Sequence, residues 1–306
     1  MKPVVVGTRG SRLALIQTDE VVRQLRGGNP QAEVEVRVIR TGGDRSSEAP
    51  ISSLGLGVFV KEIEEALLRG EIDMAVHSLK DLPSVLPDGL TLGALCRRAD
   101  PRDVLVNRWD IPLAQLPPGA RIGTSSPRRA ALVLSQRPDL EVNSIRGNVD
   151  TRLKKAKGPD YDGAVLAAAG LQRLGLEAAV TEYLDPEQFV PAPGQGALAV
   201  EVRRDDEQVR ALVGAVDHLP TRLAVTAERA FLERLGSGCQ VPAAAYAQMD
   251  GDALTLHAVL ASQDGRSLFR AKALGRASNP HEAAAKALRR LIDMGASSLL
   301  SSSETR

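Results

Sequence analysis

The chain has 306 residues, of which 43% are hydrophobic and 25% charged, as in a globular protein with two or three domains. A net charge of +1 and only 3% aromatic residues disfavour a nucleic-acid-binding protein, which needs a basic face with stacking aromatic side chains. The two cysteines, Cys96 and Cys239, and the four histidines form no metal-binding or disulfide pattern, so we expect no metal centre. Gly7 comes too early for a signal peptide and no apolar run is long enough to span a bilayer. We therefore expect no membrane contact and a cytoplasmic location.

The N-terminal third of the chain predicts alternating strands and helices. Strands are predicted at residues 4–7, at Val34, Val36 and Val38, and at 73–77, with helices at 11–26 and 59–69. This order implies parallel strands joined by right-handed crossovers. Residues 41–57 are rich in glycine and serine and predict a mobile loop or lid.

The rest of the chain predicts a second α/β unit and a smaller C-terminal domain. The second unit begins near Asp100 and runs to about residue 188, after which residues 197–203 predict a strand that returns to the first sheet. Strands at 253–260 and 266–274, joined by a turn at Asp264-Gly265, precede a helix that ends at Gly295. The predicted domains are 1–96 with 197–214 (α/β), 102–190 (α/β) and 219–306 (α+β).

The segment at residues 122–129 predicts an anion site at a helix start. Ser125 or Ser126 can cap the helix, with Pro127 in its first turn and free backbone N–H groups facing outward. Arg128 and Arg129 oppose the positive end of the helix dipole, which a fold tolerates most readily when an anion lies between them. The alternative is a pair of solvated arginines at a fraying helix end.

Further arginines occur at similar junctions along the chain. Arg146 and Arg152 flank the turn at Gly147-Asn148, Arg9 precedes the first helix, and Arg173 follows Gly170. The planar guanidinium group binds carboxylates in a bidentate manner, so the pattern predicts a ligand with many carboxylates. A phosphate ligand fits the charge equally well, but the chain has no phosphate-binding loop motif.

Three other segments carry candidate functional residues. Lys80 and Asp81 follow the strand at 73–77, where Asp81 can neutralise a cation or move a proton; the alternative is an ordinary surface turn. Gln195, within residues 191–197, is either a ligand contact or part of a hinge. Cys239, beside Gly238, is sterically open to a bulky group, although a lone cysteine is more often a small buried residue. Cys96 is expected to pack in a core or to lie near an interdomain crossing.

Together these segments resemble the porphobilinogen deaminase (hydroxymethylbilane synthase) family. The resemblance is carried by eight collinear motifs that span nearly the whole chain: 7–15, 59–62, 77–83, 123–129, 146–153, 169–175, 193–197 and 238–242. It implies two α/β lobes like those of periplasmic binding proteins, a small C-terminal α+β domain and a monomer. It also implies a transferase of tetrapyrrole and heme biosynthesis that joins four porphobilinogen molecules, with loss of ammonia, into hydroxymethylbilane, which passes to uroporphyrinogen-III synthase.

The resemblance also assigns roles to residues of this chain. It implies a dipyrromethane cofactor attached to Cys239 through a thioether, and it makes Asp81 the residue that stabilises the cationic azafulvene and assists deprotonation. The positions that match cofactor- or substrate-binding places are Arg9, Ser11, Lys80, Thr124, Ser126, Arg128, Arg129, Arg146, Arg152, Arg173 and Gln195.

Two departures from the family pattern concern the predicted lid and its rim. The run at residues 54–59 lacks the lysine that many members carry before the phenylalanine, and Arg45 is a candidate replacement. Arg12 stands where proline is common, and its charge has no assigned role. The main alternative function is a two-lobed binding protein that closes on a small organic polyanion without reacting, which would require neither Cys239 nor Asp81.

Overall fold

The structure is a computed structural model, which describes residues 3–42, 60–236 and 241–301. The predicted lid from residue 43 onward, including Arg45, and the predicted attachment residue Cys239 lie outside the described residues. The strands are β1 (Val4–Thr8), β2 (Val34–Val38), β3 (Met74–Ser78), β4 (Leu90–Leu95), β5 (Asp103–Asn107), β6 (Arg121–Gly123), β7 (Glu141–Asn143), β8 (Gly163–Ala167), β9 (Glu182–Tyr183), β10 (Leu198–Arg203), β11 (Ala243–Asp250), β12 (Ala253–Ala261) and β13 (Leu268–Arg276). The helices are α1 (Arg12–Gly28), α2 (Lys61–Leu68), α3 (Pro127–Gln136), α4 (Val149–Lys155), α5 (Ala168–Leu174), α6 (Glu207–Gly214), α7 (Leu219–Leu235), α8 (Pro280–Leu291) and α9 (Ser297–Ser301).

The chain divides into two compact units. One unit contains residues 1–99 and 196–222, and the other contains residues 100–195 and 223–306. The first unit holds one five-stranded sheet, called here the first sheet. The other unit holds a five-stranded sheet, called the second sheet, and a three-stranded C-terminal sheet.

The first sheet has the strand order β2-β1-β3-β10-β4. Strand β1 pairs in parallel with β2 and β3, whereas β10 runs antiparallel to both β3 and β4. The apolar side chains of α1 and α6 pack on one face of this sheet and those of α2 pack on the other. Two covered faces explain why β1 and β3 are almost continuous runs of small and branched apolar residues.

The second sheet repeats this arrangement, with the order β7-β6-β8-β5-β9. Strand β6 pairs in parallel with β7 and β8, and β5 runs antiparallel to β8 and β9. In both sheets the fourth strand in spatial order is the first strand after the chain has passed from one unit to the other. Each sheet is therefore completed by a strand that follows such a crossing.

The C-terminal sheet is a meander of β11, β12 and β13. Its apolar face packs on alanine and leucine side chains of α8 and on Phe231 of α7. Helix α8 ends at Leu291 and continues as a short π-helical stretch, in which Gly295 adopts a left-handed φ of 101°.

The predicted fold class, two α/β lobes followed by a small α+β domain, is confirmed by this arrangement. The predicted return of residues 197–203 to the first sheet is confirmed by β10, and the buried position of Cys96 is confirmed as well. The alternation at Val36 and Val38 predicted a strand, which the structure contains as β2; both side chains are about half exposed because β2 is an edge strand. The three predicted domain boundaries stay a prediction. Among the described residues, no helix has the length and apolar character that a membrane span requires.

Candidate active site

The first sheet brings four of the predicted site residues to one edge. Strands β1 and β3 are parallel neighbours, so the turns that follow them lie at the same end of the sheet. Arg9 and Ser11 follow β1, and Lys80 and Asp81 lie in a 3₁₀ turn directly after β3. Ser11 caps α1, since its hydroxyl accepts a hydrogen bond from the Ala14 N–H at 3.2 Å. All four candidate side chains are half-buried.

Two hydrogen bonds fix the strand end that carries Lys80 and Asp81. The Ser78 hydroxyl lies 2.9 Å from Nε2 of the buried Gln17 on α1. The Leu79 N–H donates to the carbonyl oxygen of Ala197 at 3.0 Å, immediately before β10 begins. The turn is therefore attached both to the helix that covers the sheet and to the neighbouring strand.

The second sheet places a capped helix at its corresponding edge. Ser126 is the N-cap of α3, because its hydroxyl accepts from the Arg129 N–H, and Pro127 occupies the first turn as predicted. The Thr124 hydroxyl accepts a hydrogen bond from the Ser126 N–H at 3.2 Å and is itself buried. The loop between β6 and α3 is thus held by its own side chains.

Arg128 and Arg129 are not solvated, since both are buried against one carboxylate. Asp103, the first residue of β5, accepts from Arg128 at 2.7 Å through Oδ2 and from Arg129 at 2.9 and 2.7 Å through Oδ1. Gln195 completes the group, because its Nε2 donates to Asp103 Oδ1 at 2.9 Å and its Oε1 accepts from Arg129 at 3.3 Å. The four side chains form one connected network, called here the Asp103 network.

The Asp103 network carries one more positive than negative charge. Burial raises the pKa of Asp103, but the charges of Arg128 and Arg129 outweigh it and hold that pKa at about 2. Burial lowers the pKa of Arg128, with further lowering by Arg129 and opposition from Asp103. Among the described residues, Nε of Arg128 has no hydrogen-bond partner. A buried guanidinium with an unused donor and an excess of positive charge is suited to bind a carboxylate.

The turn after β7 presents the next pair of arginines. Gly147 adopts a φ of 114°, and a Cβ atom there would lie 2.6 Å from the Thr151 side chain, so the turn requires glycine. Asn148 then caps α4 by accepting from the Thr151 N–H at 2.9 Å. Arg152 Nε donates to the Gly147 carbonyl oxygen at 2.7 Å, and Arg146 lies half-buried just before the glycine.

The structure therefore groups most of the predicted residues in two sets, one at the edge of each sheet. Strands β6, β7 and β8 are parallel, which places the loop at Thr124 and the turn at Arg146 at the same end of the second sheet. Arg173 lies in the last turn of α5, the helix that directly follows β8. In the described ranges, 3–42, 60–236 and 241–301, no group of three acidic, histidine or cysteine residues has the arrangement of a metal site.

Asp103 is the site residue that sequence reasoning missed. It opens β5, whose other residues are Val104, Leu105, Val106 and Asn107, and all five are buried. A carboxylate at the start of a wholly buried strand requires a cationic partner. The sequence signal that could have identified Asp103 was this acidic residue before an apolar run, in a chain that also contains the adjacent arginines Arg128 and Arg129.

The fold and the arginine-rich strand ends are typical of an α/β protein that binds a polyanionic ligand. Residues 4–211 match the family model "Porphobilinogen deaminase, dipyromethane cofactor binding domain", and residues 222–293 match "Porphobilinogen deaminase, C-terminal domain". The chain belongs to the porphobilinogen deaminase family, as the resemblance predicted.

Curated relatives agree with this assignment over almost the full length. The chain is 49% identical to the porphobilinogen deaminase of Roseiflexus sp. (strain RS-1), with 97% of this chain and 98% of the relative covered. It is 48% identical to that of Geobacillus sp. (strain WCH70), with coverage of 98% and 97%. For the enzyme of Bacillus subtilis (strain 168) the identity is 46%, with coverage of 98% and 96%.

Solved structures with a similar fold include a lipoprotein of the YaeC family from Enterococcus faecalis and a periplasmic solute-binding protein from Pseudomonas putida. The first has a TM-score of 0.43 and 14% identity, with 71% of this chain and 92% of that chain covered. The second, whose structure contains D-glucuronate, has a TM-score of 0.38 and 11% identity, with 77% and 82% covered.

Proposed function

We propose that the chain joins four porphobilinogen molecules, with loss of ammonia, into hydroxymethylbilane on a covalently attached dipyrromethane primer. The observation that carries this proposal is the Asp103 network, with its excess positive charge and unused Arg128 donor, in a chain whose residues 4–211 match a dipyrromethane-cofactor-binding domain. The family assignment favours this transferase over a binding protein that closes on a polyanion without reacting.

The residues of the second sheet fit a cofactor made of pyrroles that carry acetate and propionate groups. Arg128 and Arg129 supply buried positive charge, while Thr124, Ser126 and Gln195 supply neutral polar groups next to it. Arg146, Arg152 and Arg173 add further positive charge in the same unit, where they are proposed to bind the carboxylates of the growing chain. When bound, the cofactor supplies the pyrrole carbon to which the first substrate is joined.

Cys239 is proposed as the attachment residue. The other cysteine, Cys96, is fully buried at the end of β4 within the apolar core of the first sheet. A group as large as a dipyrromethane cannot be attached there without disrupting that core. Cys239, in contrast, lies in a glycine-containing segment between α7 and β11.

At the edge of the first sheet, Asp81 and Lys80 are proposed to act on the substrate. Asp81 supplies a negative charge next to the cation that forms when ammonia leaves, and it accepts a proton after the new bond has formed. Lys80 and Arg9 are proposed to pair with substrate carboxylates, and Ser11 to hydrogen-bond to them. The hydrogen bonds of Ser78 and Leu79 hold the turn in place and thereby position Asp81.

Three further properties stay predictions. They are the passage of the product to uroporphyrinogen-III synthase, the monomeric state and the cytoplasmic location.

The attachment is tested by measuring the intact mass of the purified protein and mapping the modified peptide. We expect an excess mass equal to two porphobilinogen units after loss of ammonia, located on the peptide that contains Cys239. Cys239→Ser is expected to fold without stable attachment, whereas Cys96→Ser, the same change at the other cysteine, should retain the added mass. An unmodified Cys239 thiol after incubation with porphobilinogen would contradict the proposal.

The role of Asp81 is tested separately in protein that already carries the added mass. Asp81→Ala should unfold at the same denaturant concentration as the wild type, because the side chain is half-exposed and lies in a short turn. Its turnover should fall by about a hundredfold or more, the range expected when a general acid–base group is lost. Near-normal turnover would remove Asp81 from the catalytic role.

A further inference from the structure

Three ionisable side chains are buried together between α2 and the first sheet. Glu64 lies on α2, His77 on β3 and Glu201 on β10, and their exposed fractions are 8%, 5% and 0%. His77 and Glu201 lie on the sheet face that α2 covers, because His77 is two residues after Ala75 on β3 and Glu201 pairs with Ala75, which packs against α2. We call these three residues the Glu64–His77–Glu201 cluster.

The cluster has polar atoms whose hydrogen bonds are not satisfied. His77 Nε2 lies 3.1 Å from Glu201 Oε2. Among the described residues, however, His77 Nε2, both carboxylate oxygens of Glu201 and Oε1 of Glu64 have no properly aligned hydrogen-bond partner. Buried polar atoms of this kind are costly unless a proton or water joins them.

The other charged groups on the surrounding elements either pair with residues outside the cluster or lie at the surface. Strands β1 and β4 contain no ionisable residue, and β3 contributes only His77. Arg203, next on the same face of β10, donates to the Leu67 and Ile72 carbonyl oxygens and pairs with Asp73 and Asp206. On α2, Lys61 is exposed, Glu62 accepts from the Gly42 N–H, and Glu65 pairs with Arg69.

The charge balance of the cluster therefore depends on its own protons. Two carboxyl groups and one imidazole share this buried space, so the cluster is least costly when one of the carboxyl groups carries a proton. Burial raises the pKa of Glu64 to about 7, with further raising by the charge of Glu201 and opposition from His77. The cluster can thus gain or lose one proton close to neutral pH.

We propose that the Glu64–His77–Glu201 cluster is a positioning site, whose protonated form holds α2 and the strand end that carries Lys80 and Asp81. This inference rests on the proposed function, in which Asp81 acts on the substrate. His77 is separated from the 3₁₀ turn Leu79–Asp81 by Ser78 alone, so a displacement of His77 moves the turn. When Glu64 loses its proton, the cluster holds two buried carboxylates that repel each other, and this repulsion favours separation of α2 from β10.

The functional test compares Glu64→Gln with the wild type over a range of pH. Glutamine has the size of a protonated glutamate but cannot ionise. The variant should therefore keep α2 and the strand end in the position that the protonated cluster gives them at every pH. We expect the ratio of the variant's kcat to the wild-type kcat to be close to one at about pH 6 and to rise at least about threefold by about pH 8.5. Ionisations that affect the kcat of both enzymes equally cancel in this ratio.

Glu65→Gln is the matched control, because Glu65 is the adjacent residue of α2 but lies at the surface, paired with Arg69. Its ratio to the wild type should stay flat with pH. A flat ratio for Glu64→Gln as well would overturn the inference.

A direct measurement of the proton keeps the inference testable even if Glu64→Gln does not fold. In the wild-type protein with the added mass, glutamate labelled with ¹³C at its side-chain carboxyl should show one resonance that titrates with a midpoint near 7, as burial predicts for Glu64. A protein in which every glutamate titrates near the ordinary value would overturn the inference. The turnover of Asp81→Ala tests the proposed function separately. Near-normal turnover would contradict the catalytic role of Asp81, whereas the titration of the labelled carboxyl tests the cluster in either case.

Discussion

The carboxylate of Asp103 lies 2.7 Å from the guanidinium of Arg128 in the interior of the second sheet, where both side chains are buried. Arg129 binds the other oxygen of the same carboxylate at an equal distance of 2.7 Å. One carboxylate therefore holds two adjacent arginines at the start of α3, where the helix dipole alone would disfavour them. This relationship explains how the fold keeps a positive site inside a chain whose net charge is only +1.

Asp103→Asn is expected to destabilise the protein by about 3 to 5 kcal/mol, the range for a buried ion pair that loses one partner. The variant leaves two buried guanidinium groups without a counter-charge. Denaturant unfolding monitored by circular dichroism measures the change. Asp139→Asn removes an exposed carboxylate that pairs with the partly buried Arg137, and it serves as the control, with little change expected. Equal stability of the two variants would contradict the role assigned to Asp103.

The stability that Asp103 provides should depend on acid pH. Its pKa is lowered from 3.8 to about 2 in the folded protein, so the unfolded chain binds this proton more readily. The contribution, about 2 kcal/mol by linkage, is fully present above pH 3.8 and is lost as the pH falls toward 2. Urea unfolding at several acid pH values should show the stability difference between the wild type and Asp103→Asn narrowing by about 2 kcal/mol in this window. A constant difference between the two proteins would exclude this titration.

Arg128→Ala should affect function more than folding. Asp103 and Arg129 remain as a balanced pair, so the loss of stability should be no more than about 1 to 3 kcal/mol, from the missing hydrogen bonds and packing. Cofactor assembly or chain elongation should slow by about 10- to 100-fold, the equivalent of one charge-assisted hydrogen bond. Single-turnover measurements of each elongation step provide the test, and Arg146→Ala should slow the same steps. Unchanged rates at every step would remove both arginines from the binding site.

Gly147→Ala tests the turn that carries Arg146. The φ of 114° and the close approach to Thr151 should together cost about 1 to 3 kcal/mol in the free energy of unfolding. Gly214→Ala, at the end of α6, is the matched control, since a Cβ atom there meets nothing within 4 Å. The control should be neutral or slightly stabilising. Thermal unfolding of both variants measures the difference, and a neutral Gly147→Ala would show that the turn accepts other residues.

The sequence predicted the parallel strands and the helix caps because these depend on local patterns. The apolar runs of β1 and β3, the serine before α3 and the proline at its first position each specify a local conformation. The identity of the counter-charge for Arg128 and Arg129 was not predictable in this way. Asp103 is 25 residues away from Arg128 in the chain and reaches it only because β5 completes the second sheet.

The Glu64–His77–Glu201 cluster shows the same limit. Glu201 interrupts the apolar run of β10, which marks it as unusual, but its pairing with His77 depends on the antiparallel contact between β10 and β3. Long-range contacts of this kind are set by topology rather than by the spacing of residues within one element. For the same reason the sequence identified most candidate binding residues but not the groups that hold them.

The use of a late strand to complete the first sheet determines the order in which the two sheets become available during synthesis. All five strands of the second sheet lie between residues 103 and 183, whereas the first sheet lacks its fourth strand until β10 at residues 198–203 has been made. A nascent chain that has emerged from the ribosome as far as β9 therefore contains every strand of the second sheet. It still lacks one strand of the first sheet. In this protein, the sheet that begins first along the chain is the one whose strands are completed later.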